Sequence, residues 1–141
     1  MSSKKDAVSV LLVEDNSAIA ELYALKLRMD GFTVHHAEDA ATAEVIFDQA
    51  KPNVVCVDHR LPDASGADTA PRFARDGAAV ILLTNDQDGY ERPPHCVARS
   101  MLKSRTSPSE LSEVIRELLP EKRRVTTRRW PNPNATPWGA A

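Results

Sequence analysis

Long apolar runs are missing from this chain. The longest, Val8 to Val13 and Ala78 to Leu83, fall far short of the stretch of about 20 residues that crosses a bilayer, so no membrane span is expected. The first residues, Met1 to Asp6, carry charge and lead into a strand-like run followed by acids. They lack the apolar stretch and small-residue cleavage site of a secretory signal, so a cytoplasmic protein is expected. Cysteine is equally sparse. Cys56 and Cys96 show no CxxC or Cys/His spacing, and Cys56 lies in an apolar run, which favours buried or incidental thiols over a metal site or disulfide. No internal repeat is evident beyond an alternation of strands and helices. Net charge is only −2, but Lys122 to Ala141 holds five basic residues (Lys122, Arg123, Arg124, Arg128, Arg129) and no acid, which leaves −7 on the rest. An acidic body argues against a nucleic-acid binder, and the basic tail alone would give salt-sensitive, non-specific contact at most.

What is present points to one α/β domain. A chain of 141 residues, 42% hydrophobic and 27% charged, matches an ordinary globular composition and can build a single core. Val8 to Val13 and Val54 to Val57 are β-branched runs without alternation, as expected of strands buried on both faces of a parallel sheet. Between Asn16 and Asp30 the residues Ile19, Leu22, Tyr23 and Leu27 recur at helical spacing, and Gly31 supplies the stop. Thr33 to Ala37 reads as a strand. Asp39 then caps a helix carrying Ala43, Ile46 and Phe47, which ends at Lys51-Pro52. A turn-rich loop, Leu61 to Gly66, precedes a short helix to about Arg75 and the strand Ala79 to Leu83. Ser100 to Leu102 is a last short strand. Ser107, Pro108 and Glu110 form a capped start for a helix with Leu111, Val114, Ile115, Leu118 and Leu119 on one face. From Thr84 to Ser100 there is no helical periodicity, and Pro93-Pro94 limits the region to a loop with at most a short helix. Five strands alternating with helices imply a doubly wound parallel sheet. The proline-rich end, with Trp130 and Trp138, reads as a loosely held tail.

Ligands of doubly wound sheets sit beyond the carboxyl ends of the strands, so the residues just past each strand carry the chemistry. These are Glu14-Asp15, Asp58, Thr84 and Lys103. Three close carboxylates repel one another, and a hard cation is the natural compensation. Magnesium fits, because it takes oxygen ligands and is commonly held by one or two carboxylates together with phosphate oxygens. Asp58 beside such an ion could attack a phosphoryl group in line, with Lys103 and Thr84 on the transferred oxygens.

Val13-Glu14-Asp15-Asn16, the loop Val57 to Gly66, Leu82-Leu83-Thr84 and Met101-Leu102-Lys103 together resemble the receiver domain of two-component response regulators, over roughly residues 7 to 120. In that family's phosphorylation loop the aspartate is followed four residues on by proline and eight on by glycine, as Asp58 is by Pro62 and Gly66. The resemblance implies a flavodoxin-like sheet of order 2-1-3-4-5 with helices on both faces, and Pro93-Pro94 makes the fourth helix of this chain short or irregular. It implies a receiver over residues 1–121 with a basic tail at 122–141. Asp58 would be the phosphoacceptor for a histidine kinase or phosphotransfer protein. Asp15, Asp58 and the backbone carbonyl of Arg60 would ligate magnesium, with Glu14 acting mainly through water. Too few residues follow Pro120 to build an output domain, so the expectation is a stand-alone regulator that signals to a protein partner, is not a turnover enzyme, and is able in principle to dimerise.

Four features depart from the family pattern. Asn85 stands where a small residue usually follows the threonine, Ser100 where an aromatic switch is common, Ser104 where proline follows the lysine, and Pro93-Pro94 interrupts the fourth helix. A receiver-fold interaction module indifferent to phosphorylation is the alternative they motivate. An aspartyl-phosphate phosphatase would carry a second aspartate two residues past the nucleophile, where this chain has Arg60. His59 and Arg60 read as exposed loop residues.

Overall fold

The structure is a computed structural model that describes residues 7–119. Five strands, β1 (Ser9–Val13), β2 (Thr33–Ala37), β3 (Val54–Asp58), β4 (Ala79–Thr84) and β5 (Arg99–Leu102), alternate with helices α1 (Ser17–Met29), α2 (Ala40–Ala50), α3 (Gly66–Arg75), α4 (Gln87–Glu91) and α5 (Pro108–Leu118). A 3-10 turn, Lys103–Arg105, follows β5. These five strands pair in parallel throughout and their order is β2-β1-β3-β4-β5, the doubly wound sheet expected. The basic tail lies outside the described residues. Among the described residues no helix is long and apolar enough to cross a membrane.

The unalternating strands are apolar on both sides because the sheet has a core on each face. Val10, Leu12, Cys56, Ile81 and Leu83 meet Tyr23, Leu27, Leu111 and Ile115 of α1 and α5. Their neighbours Leu11, Val13, Val55, Val57 and Leu82 meet Ala43, Phe47, Ala70 and Phe73 of α2 and α3. Each such aliphatic side chain taken fully from water contributes about 1.5–3 kcal/mol before chain entropy is set against it. Cys56 is fully buried, and burial pushes its thiol up to about 12, which makes it a packing residue. One face was misread: Leu22 is 62% exposed, and Ala20 and Ala24 complete the buried stripe of α1. The small alanines let α1 sit close to the sheet, so the bulkier leucine is left on the rim.

The ends of the helices follow local chemistry. Asn16, Asp39, Ser65, Asp86 and Ser107 each accept a backbone N–H of the helix they precede. In α5 the Glu110 carboxylate also accepts the Ser107 N–H at 2.8 Å, closing the capping box. The weakly patterned segment after β4 yields only the five-residue α4, with Pro93-Pro94 just beyond its end. A proline pair denies the chain two N–H donors, and the helix stops before it.

Candidate functional site

The carboxyl ends of β1, β3, β4 and β5 bring Glu14, Asp15, Asp58, Thr84 and Lys103 to one edge of the sheet. Oxygens of Glu14, Asp15 and Asp58 all lie within 4.8 Å of one another. Asp58 is the last residue of β3 and is 6% exposed, whereas Asp15 stands in solvent. Glu14 is fully buried. A buried carboxylate is costly unless paired, and Lys103 supplies the pair: its Nζ lies 2.8 Å from Glu14 Oε1 and 2.8 Å from Asp58 Oδ2.

The two halves of Glu14 are served differently. Oε2 accepts the Asn16 N–H at 3.0 Å. Oε1 is buried with the Lys103 ammonium 2.8 Å away but has no well-directed hydrogen bond. Burial pushes the Glu14 carboxyl above its usual range, with Asp58 repulsion adding to it and with Lys103 and the Asn16 amide pulling against it. For Lys103 burial works against the charge, but the hydrogen bond to Asp58 and the close contact with Glu14 outweigh it and hold the ammonium above its usual range. An all-oxygen donor set with an under-served buried oxygen fits a hard divalent cation.

The loop after Asp58 is shaped by Gly66. A Cβ there would overlap the Asp58 carbonyl oxygen and crowd the His59 Cα at 3.1 Å, so only glycine lets α3 begin against the end of β3. The Gly66 N–H donates to the His59 carbonyl at 2.8 Å, and Arg60 and Ser65 form an isolated antiparallel bridge across the loop. The Arg60 N–H reaches toward Asp58 Oδ1 at 3.5 Å, at the edge of hydrogen-bond distance. Asp63 accepts the N–H groups of Ala40 and Ala41 at 2.8 and 3.0 Å, which ties the loop to the start of α2.

Thr84 is buried, and its hydroxyl is already engaged. It lies 2.8 Å from His59 Nδ1 and accepts the Asp86 N–H at 2.9 Å. His59, read from sequence as an exposed loop residue, is half-buried against Thr84, while Arg60 is exposed. Asn85 Oδ1 accepts the Ser104 N–H at 2.8 Å, so that side chain bridges the β4 and β5 loops. Ser100 donates its hydroxyl to the Tyr90 carbonyl of α4 at 2.6 Å. Sequence reasoning also missed His36, whose Nε2 lies 2.7 Å from the Glu14 carbonyl. A carbonyl only accepts, so His36 donates there and braces the acidic turn. The residues of one face are two apart in a strand, but nothing in the pattern of β2 marks this role.

The sequence pattern described as "Response regulator receiver domain" matches residues 10–116. The chain is 35% identical over 79 residues to the probable transcriptional regulatory protein TcrX of Mycobacterium tuberculosis, covering 55% of this chain and 34% of that protein. It is 29% identical over 117 residues to the phosphate regulon transcriptional regulatory protein PhoB of Pseudomonas aeruginosa, covering 79% and 51%. The chain thus spans about a third to a half of these curated relatives. Among solved structures it is similar to response regulator protein TrrA of Thermotoga maritima in complex with Mg(2+)-BeF, with a TM-score of 0.72, 26% identity, and 79% of this chain and 99% of that chain covered. A CheY-like receiver domain from Methanospirillum hungatei shares the fold at a TM-score of 0.72 and 22% identity, covering 79% and 92%.

Proposed function

The chain belongs to the response-regulator receiver domain family of two-component signalling, and on that premise we propose that Asp58 accepts a phosphoryl group from a histidine kinase or phosphotransfer protein. The observation that carries this is the Lys103 ammonium held at 2.8 Å from both Glu14 and Asp58 on the edge where ligands of such sheets bind. A carboxylate oxygen of Asp58 attacks the phosphorus of the phosphohistidine. The O–P bond forms as the P–N bond breaks, the electron pair stays with the imidazole nitrogen, and that nitrogen takes a proton from water. Lys103 exchanges the Asp58 carboxylate for a phosphoryl oxygen while keeping Glu14, so a cation faces the new charge without leaving the buried acid unpaired. Thr84 donates its hydroxyl to another phosphoryl oxygen. Asp15, Asp58, the Arg60 carbonyl and, through water, Glu14 would hold magnesium, which supplies positive charge against the phosphoryl oxygens.

In this reading residues 1–121 act as a cytoplasmic signalling module, not a turnover enzyme, and signal by changing affinity for a protein partner. Incubation with magnesium and acetyl phosphate should add the mass of one phosphoryl group to wild type and none to Asp58→Ala. Equal behaviour of the two proteins would refute it. A second reading, a receiver-fold module whose output ignores phosphorylation, is favoured by the stunted α4 held to Ser100. It requires equal partner affinity for phosphorylated wild type and for Asp58→Asn.

A further inference from the structure

His59 stands directly after the phosphoacceptor, and its imidazole lies between two elements that the reaction must connect. Nδ1 is 2.8 Å from the Thr84 hydroxyl oxygen. The same edge of the ring lies against α4, where a Cβ added to Gly89 would come within 2.9 Å of Cε1, 3.0 Å of Nδ1 and 3.3 Å of Asp86 Oδ2. Thr84 Oγ1 has two lone pairs and one proton, and the Asp86 N–H already uses one lone pair at 2.9 Å. If Nδ1 carries the proton and donates, the second lone pair is filled and the hydroxyl proton is left for a phosphoryl oxygen. If Nδ1 accepts, it takes the only proton that Thr84 can offer.

We propose that His59 is a positioning residue of the phosphoryl site: Nδ1–H donates to Thr84 and turns the threonine's single proton toward Asp58, while Gly89 leaves the room that the ring needs. This rests on Asp58 being the phosphoacceptor. It also gives the glycine of α4 a task, since a side chain there would drive the imidazole off Thr84.

The test follows phosphoryl uptake from acetyl phosphate in magnesium by intact-protein mass, with variants of the full chain. Thr84→Ala and His59→Ala should each slow uptake about tenfold, roughly the value of one well-oriented hydrogen bond. The double variant should be no slower than Thr84→Ala, because His59 acts through Thr84. His59→Asn, whose amide nitrogen stands where Nδ1 does, should recover to within about twofold of wild type. Gly89→Ala, with His59 intact, should reproduce the loss, since a side-chain ring moves aside more cheaply than backbone. Long-range proton–nitrogen spectra of wild type should show the Nδ1–H tautomer at His59, a readout independent of any variant's folding. The Nε2–H tautomer, unchanged uptake in His59→Ala, or losses that multiply in the double variant would overturn the proposal. Wild type that takes no phosphate would instead overturn the phosphoacceptor reading on which it rests.

Discussion

Gly66→Ala is the sharpest perturbation available, because a single methyl group meets the backbone of Asp58, the proposed phosphoacceptor. The added Cβ would overlap the Asp58 carbonyl oxygen, with Asp58 C at 2.9 Å and His59 Cα at 3.1 Å. None of these atoms belongs to a flexible side chain, so relief requires moving the β3 end or the start of α3. Forcing a methylene into packed structure costs about 1–3 kcal/mol. Loss of denatured-state entropy at the former glycine returns about 0.4–1 kcal/mol. A net loss of about 1–2 kcal/mol follows, which lowers the urea midpoint by about 1 M for a domain of this size. Function should suffer more than stability, since a shift of about 1 Å in a reacting group can cost about a hundredfold in rate. The control is Gly31→Ala. Gly31 has φ +98 and no atom within 4 Å of an added Cβ, so alanine there strains the backbone without touching the site. It should lose stability and keep the wild-type rate of phosphoryl uptake. A Gly66→Ala protein with an unchanged midpoint and uptake rate would refute the reasoning, as would equal loss of uptake in Gly31→Ala.

Lys103→Met removes the cation from the fully buried Glu14 and should cost up to about 3 kcal/mol in metal-free urea unfolding, with part recovered on adding magnesium. A variant as stable as wild type without metal would contradict this. Asp30 accepts the Ser112 hydroxyl at 2.6 Å and lies 3.2 Å from Lys26 and 3.4 Å from Arg116; the Ser112 bond first and then the cations hold its carboxyl below the usual range. A depressed folded value contributes stability above the unfolded value, near 3.9, that is lost as pH falls through the folded one. Asp30→Asn should therefore melt lower than wild type at pH 7, and the gap should close as pH falls below the usual carboxylate range; a gap independent of pH would exclude this role. Cys56 is sealed in the core with its thiol pushed up to about 12, whereas Cys96 is half-buried. An aromatic disulfide reagent at pH 8 should therefore count one reactive thiol in native protein and two in urea.

The sheet was legible because its signal is redundant. Val54 to Val57 and Val8 to Val13 are too uniformly apolar for a half-exposed strand, and the acids that follow them mark the carboxyl edge. Caps were legible too, since Ser107, Pro108 and Glu110 act through bonds within a few residues of one another. Leu22 misled because helical spacing identifies a stripe but not its centre, and Ala20 and Ala24 carry too little hydrophobicity to announce theirs. The contacts of His59 and His36 were hidden for a different reason. Each depends on where another strand ends, and an imidazole that donates to a neighbour has the same sequence signature as one in solvent.

The departures from the family pattern also change meaning once they are seen together. Asn85 and Ser104 look like two independent losses along the chain, a small residue and a proline. In the fold they are a pair, because Asn85 Oδ1 accepts the Ser104 N–H, a donor that proline lacks. Ser100 likewise replaces an aromatic ring yet bonds the Tyr90 carbonyl, so β5 holds α4 by a hydroxyl in place of a movable side chain. The loops after β4 and β5 are thus joined at Asn85–Ser104, and α4 is joined to β5 at Ser100–Tyr90. If Thr84 shifts toward a phosphoryl group, the next residue, Asn85, is the one that must stretch or carry Ser104 with it. Coupling in this chain would run through the loop that follows Lys103, by the hydrogen bond from the Ser104 N–H to the Asn85 side chain, with no need for an aromatic switch at position 100.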